Sequence, residues 1–263
     1  MKALRAIHLL AIIALLVLVT RKSTAEKALR AKYREWVEEG ERIHVRSWYA
    51  EAETALTDEW NLDVVGIVDT WSGATPIGLP PTESDWLSDP IEETRRAGLV
   101  TLAREAGEYD FSFEFGLSHE PDYLSRSYAV RLSRQYAEDT LTLSAGLSYL
   151  DDTVDTKITG YPGFDEQTKR TPDINFGAHR ILDPKTTIAV NLSYSRPSGY
   201  LSDPYKSVAY FSTVHGAKVL RQTPENRPGT RNVYVVFVEG TRYLESLGSS
   251  LQGSYRFFAD DSG

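Results

Sequence analysis

The chain has 263 residues, 41% of them hydrophobic, no cysteine and a formal net charge of -8. An acidic surface excludes a dominant role in binding nucleic acid, whose phosphates demand the opposite sign. Without cysteine there is no disulfide framework, no thiolate metal site and no cysteine nucleophile. Length and even composition fit one large domain.

At the N-terminus, Lys2 and Arg5 precede an apolar run from Leu9 to Val19, and Ser23-Thr24-Ala25 offers the small residues a signal peptidase cleaves after. Residues 1–25 therefore read as a signal peptide and 26–263 as the mature domain. An uncleaved anchor is the alternative, although the run is short for a membrane helix. Residues 26–40 fit two patterns. Leu29, Tyr33, Trp36 and Val37 sit at helical spacing, while Leu29, Ala31 and Tyr33 alternate with Arg30, Lys32 and Arg34 as in a strand. The strand is preferred because everything after it alternates.

Strands are expected near 43–56, 60–71, 94–104, 108–119, 123–136, 140–150, 172–182, 186–196, 231–243 and 248–258. The clearest is the run in which Tyr109, Phe111, Phe113, Phe115 and Leu117 alternate with Asp110, Ser112, Glu114, Gly116 and Ser118. Period two gives one apolar and one polar face. Runs of about 10–12 residues are roughly twice the usual soluble strand and match a tilted membrane strand. A mean hydropathy of -0.35 does not conflict, because half of each barrel strand faces a polar interior. Short turns fall near Asp58, Gly107, Ala137, Pro184 and Ser246. The connections near 72–93, 151–171 and 197–230, with a short one at Glu120-Pro121-Asp122, lie at the opposite hairpin ends. The expected fold is therefore all-β, an antiparallel transmembrane β-barrel of the outer-membrane type, in the outer membrane of a Gram-negative bacterium. Its partners would be outer-membrane lipids and the barrel-assembly machinery. With the first segment included the strands number eleven, an odd count, and the chain is expected to lack its C-terminal strands.

Ser72-Gly73-Ala74-Thr75-Pro76, the stretch from Ser198 through Gly199-Tyr200-Leu201-Ser202-Asp203-Pro204-Tyr205 to Lys206, and Glu225-Asn226-Arg227-Pro228 resemble an uncharacterised bacterial outer-membrane β-barrel family, a domain of unknown function. The resemblance implies a barrel, with further strands past Gly263, and no particular activity. A second resemblance is local. Asp69-Thr70-Trp71-Ser72-Gly73-Ala74-Thr75 is similar to the acceptor sequence of exported redox proteins that receive covalent FMN from a flavin transferase. It implies Thr75 as acceptor hydroxyl, Ser72, Gly73 and Ala74 as the accessible backbone before it, Asp69 as the upstream acid, and periplasmic redox proteins as partners. The same residues also read as a plain loop start.

Other groups are open at this level. Asp151, Asp152 and Asp155, with Asp165 and Glu166, form either a calcium loop or a solvated acidic loop. His44, His119, His179 and His215 show no metal-ligand spacing. Asp110, Glu114, Asn191, Arg131 and Arg256 fall on the expected polar face, where they either set a pore's selectivity or fill a narrow interior. A rim hydrolase built from Ser, His and Asp is the third function class, beside the redox barrel and the passive channel or structural barrel.

Overall fold

A computed structural model describes residues 27–39, 43–73, 91–156, 166–203 and 207–261. The strands are β1 Lys27–Val37, β2 Ile43–Ala55, β3 Trp60–Gly73, β4 Ile91–Ala106, β5 Tyr109–His119, β6 Tyr123–Tyr136, β7 Leu141–Asp155, β8 Glu166–Asp183, β9 Thr186–Ser195, β10 Ser198–Gly199, β11 Ser207–Val214, β12 Ala217–Pro224, β13 Val233–Leu244 and β14 Ser249–Asp260. No α-helix occurs among the described residues, and the segment that fitted both helix and strand is β1.

Each strand from β1 to β9 pairs antiparallel with its successor, β9 passes to β13, and β14 closes the order; β10 extends along β8, and β11–β12 forms a separate hairpin. Among the described residues no pairing joins β1 to β14, so the sheet is open. Its fold is that of the outer-membrane barrel class, a next-neighbour meander of long strands.

The structure corrects three expected boundaries. β7 runs to Asp155 and β8 begins at Glu166, so much of the expected 151–171 loop is strand. Asp151-Asp152-Thr153 has loop composition, yet every residue pairs across to Lys169, Arg170 or Thr168. Acidic residues do not break a strand when the neighbouring strand supplies cations. β4 likewise starts at Ile91, and the 197–230 connection contains β10, β11 and β12. The five short turns lie where the sequence puts them.

One register row crosses eight strands on the apolar face: Leu62, Leu102, Phe113, Val130, Leu147, Ile174, Tyr194 and Tyr234. It starts near the short-turn end of β3 and finishes near the long-connection end of β13. Seven inter-strand steps of about 4.8 Å give roughly 34 Å across the strands, against roughly 33 Å for ten residues along them. A row that climbs from rim to rim over equal distances means a strand tilt of about 45°, the upper end of the membrane-barrel range.

The faces are sorted oppositely to a soluble domain. Among the described residues only Leu117 and Val154 are buried apolar side chains, whereas Leu147 is 55% and Phe176 50% exposed. Arginines bracket this apolar face in three strands: Arg96 and Arg104 in β4, Arg126 and Arg134 in β6, Arg170 and Arg180 in β8. Eight to ten residues separate each pair, about 26–33 Å along the strand and about 18–23 Å in height at that tilt. That matches the apolar band of an outer-membrane barrel. At the short-turn rim, Arg134 lies 4.8 Å from the Tyr109 ring and 4.6 Å from that of Tyr136, and Arg104 lies 5.7 Å from Trp60. Cations over aromatic rings suit the headgroup layer.

The polar face is close-packed with small residues. A Cβ at Gly146 would lie 2.7 Å from Asn175 Oδ1, and one at Gly177 would lie 2.5 Å from Ser144 Oγ. Those glycines let neighbouring strands hold Asn and Ser between them. Placing a charge in the middle of the opposite face has a direct cost. Leu147→Arg is expected to lower stability by about 2–4 kcal/mol, measured by reversible urea unfolding in phospholipid vesicles.

Candidate functional site

The polar face is most elaborated at the rim that carries the long connections. Two rows cross β1 to β4 there. Trp36 pairs with Val45, Val45 with Trp71 and Trp71 with Glu93; one step inward, Arg34 pairs with Ser47, Ser47 with Asp69 and Asp69 with Arg95. With Tyr49 and Glu120, all of these side chains except Glu93 line a recess of about 440 Å³. Asp69 is 7% exposed. Arg95 donates to Asp69 Oδ2 through Nε at 3.0 Å and through a terminal nitrogen. Such a two-pronged, charge-assisted contact holds both strands in register and removes the isolated-charge cost of burying Asp69.

Beside it, carboxylate oxygens of Glu93, Glu120 and Asp122 lie within 4.8 Å of one another, Glu93 and Asp122 being buried. This is the acidic convergence that the sequence did not reveal. Burial pushes the Glu120 carboxyl above its ordinary range, the Arg95 charge opposes that shift, and Asp122 adds to it. The calcium alternative for the acidic run finds no support among the described residues. Asp151 and Asp152 are neighbours on one strand and point to opposite faces. Asp151 lies 3.8 Å from Arg126 and 3.7 Å from Arg170, whereas Asp152, 1% exposed, faces Lys169 at 3.3 Å. Asp165 lies outside the described residues. Lys169 also donates to Tyr123 Oη at 3.1 Å, so Tyr123, Asp152 and Lys169 tie β6, β7 and β8 together.

Two of the signature segments clasp each other. The Asp203 amide donates to Glu225 at 3.0 Å, the Arg227 amide to Ser202 Oγ at 3.0 Å, and the Arg227 side chain to Glu225 at 2.9 Å. Gly199 anchors the clasp: its φ is +99°, and a Cβ there would lie 2.2 Å from the Thr168 carbonyl oxygen. Leu201, Arg227, Pro228 and Arg231 then bound a second recess of about 370 Å³ with Leu150, Lys169 and Thr171 of the polar face.

Of the flavin-acceptor residues, Asp69, Ser72 and Gly73 belong to β3; Ser72 pairs with His44 and Glu92, and Gly73 with Ile43 and Ile91. Ala74 and Thr75 lie outside the described residues. Asp69 is engaged by Arg95 across the sheet. Asp110, Glu114, Arg131, Asn191 and Arg256 all fall on the polar face, as expected, and Ser133 donates to Asp110 at 3.0 Å. His44 meets Glu35 at 2.7 Å and belongs to no metal group among the described residues.

A family profile described as "Protein of unknown function (DUF3570)" matches residues 6–87 and 83–263. The chain belongs to this family. Among curated proteins none matches. Solved structures that resemble it include in-vitro folded OmpT of Vibrio cholerae in its trimer form (12% identity, 87% of this chain and 64% of that one, TM-score 0.44). Outer-membrane expressed OmpT of the same organism aligns at 13% identity over 88% of this chain and 65% of that one, with a TM-score of 0.45. The ferric yersiniabactin uptake receptor FyuA of Yersinia pestis aligns at 9% identity over 85% and 42%, with a TM-score of 0.38. The chain thus spans 64–65% of the length of those two OmpT chains.

The raised Glu120 carboxyl has a pH signature. Between its ordinary value and its raised native value, the unfolded chain is ionised while the native one keeps its proton, so this group's contribution to stability falls as pH rises through that window. Glu120→Gln removes the loss. Its unfolding midpoint should exceed the parent's at neutral pH and converge with it below about pH 4, where both forms of Glu120 are neutral, as read from thermal unfolding on heat-modifiability gels.

Proposed function

We propose that this protein is an outer-membrane β-barrel that passes small hydrophilic solutes passively and favours cations. The supporting observation is the arginine-bracketed apolar band backed by a continuous polar face. Exposed Leu, Phe and Tyr in that quantity need lipid, and a polar face on the other side of the same strands suits a water-filled interior. The rim of short turns would face the periplasm and the rim of long connections the outside. Carboxylates outnumber cations on the polar face, where Asp63, Asp110, Glu114, Asp173 and Glu239 are set against Arg131 and Arg256 along the strands. A ring of that sign attracts cations and repels anions. Lipids and the barrel-assembly machinery are its partners in this reading.

Planar-bilayer recording in a KCl gradient tests it. The expected reversal potential is that of a cation-preferring pore, shifted toward zero by Asp110→Asn with Glu114→Gln. Folded protein that inserts without conducting would leave a structural barrel instead.

A second reading keeps the acceptor motif. Gly73 is the last residue of β3, and Thr75 follows it by two positions in the sequence. In this reading a flavin transferase moves FMN from FAD to the Thr75 hydroxyl with loss of AMP, and the barrel then serves periplasmic redox proteins. Because Arg95 occupies the Asp69 carboxylate in the folded sheet, transfer would precede the pairing of β3 with β4. Co-expression with an FMN transferase should give in-gel flavin fluorescence and an FMN mass increment that both vanish in Thr75→Val. An unlabelled chain beside a labelled control substrate would reduce 72–76 to a loop.

A further inference from the structure

We propose that the recess between Trp36 and Trp71 binds one ring of an uncharged saccharide. The two tryptophans occupy the same register row, separated by β2, where Val45 stands between them. Two inter-strand spacings put their backbones about 9.6 Å apart. A ring held between two indole faces needs about 7–8 Å, twice a carbon–carbon contact of about 3.5–4.0 Å. The floor is low enough to leave that slot open, because Val45 and Ser47 are small and Ser47 is buried at 4% exposure. A volume of about 440 Å³ lies within the usual range for small-molecule sites.

The tryptophans are on the wrong face for a membrane anchor. Trp48, on the apolar face, is 62% exposed and packs on Tyr33 at 4.6 Å, as a lipid-facing residue would. Trp36 and Trp71 belong to the polar face, where no lipid reaches them and an apolar ring surface waits for a partner. The polar groups around them decide which partner. In the lining Arg34 and Arg95 are set against Asp69 and Glu120, so it carries no net charge of its own, and the Glu93 and Asp122 carboxylates beside it disfavour an anion. Guanidinium donors, that of Arg95 held by Asp69, beside carboxylate acceptors suit vicinal hydroxyls, each of which both gives and accepts a hydrogen bond. Sugar rings combine such an edge with an apolar C–H face that stacks on indole. The recess opens at the long-connection rim.

The test uses the full chain folded in detergent micelles, titrated with maltohexaose, cellohexaose, chitohexaose and xylohexaose while intrinsic tryptophan fluorescence is recorded. At least one should produce a saturable change, weakened about tenfold or more by Trp71→Ala or Trp36→Ala and unaffected by Trp48→Ala. Trp71→Phe keeps an aromatic face and should retain binding, which separates a lost contact from a lost fold; heat-modifiability checks each variant. No saturable response to any of the four overturns the proposal, as does an equal loss in Trp48→Ala. Saturation by lumiflavin and by none of the sugars overturns it too and assigns the slot to a flat heteroaromatic ring. Binding is read without conduction, so a silent bilayer leaves this inference standing, and a conducting barrel that ignores all four sugars removes it alone.

Discussion

Hydrogen-bond pairing of each long strand with its neighbour is the constraint on which the rest depends. In lipid, an unpaired backbone amide or carbonyl has no water to turn to, so each strand must be satisfied by another strand. Next-neighbour antiparallel pairing from β1 to β9, and on through β13 to β14, meets that demand for the strands between the two edges, while among the described residues the outer edges of β1 and β14 have no partner strand. Once pairing is in register, period-two alternation sends every apolar side chain to one face. The eight-strand row from Leu62 to Tyr234 is the consequence, and its climb from rim to rim carries the strand tilt with it.

The two faces then solve different problems. The apolar face has no interior to hide in and ends in arginines on both sides. The polar face is packed with glycine, serine and asparagine so finely that Gly116, Gly146 and Gly177 could not take a methyl group without displacing a neighbour. Larger charged groups concentrate at the long-connection rim. There the ion pairs Asp69–Arg95 and Asp152–Lys169 cross between strands. They sit where the sheet leaves the membrane band and its order must be kept without lipid. The recess with Trp36 and Trp71 is built on the first of these pairs, so strand registration and the candidate binding surface share one structural element.

The clasp between residues 198–203 and 225–228 gives the described part of those segments a physical role. They are far apart in sequence and adjacent in space, joined through Glu225, Ser202 and the backbone of Gly199. These contacts hold the shape of the connection, and Gly199 is required by its positive φ and by the Thr168 carbonyl against it.

Alternation by itself determined the fold class, the turns and the residents of each face, because side-chain direction in a strand has a period of two whatever its neighbour is. Asp110, Glu114, Arg131, Asn191 and Arg256 were legible for that reason. Composition misled where Asp151-Asp152 imitated a loop, since whether acids end a strand depends on what stands opposite. Which residues meet was not legible at all. Arg95 is 26 positions from Asp69, and no local rule sets that separation against the register. The same holds for Trp36 with Trp71 and for Glu93 with Glu120 and Asp122. Only the tertiary structure decided these meetings, because cross-strand neighbours are set by the summed register of every hairpin between them.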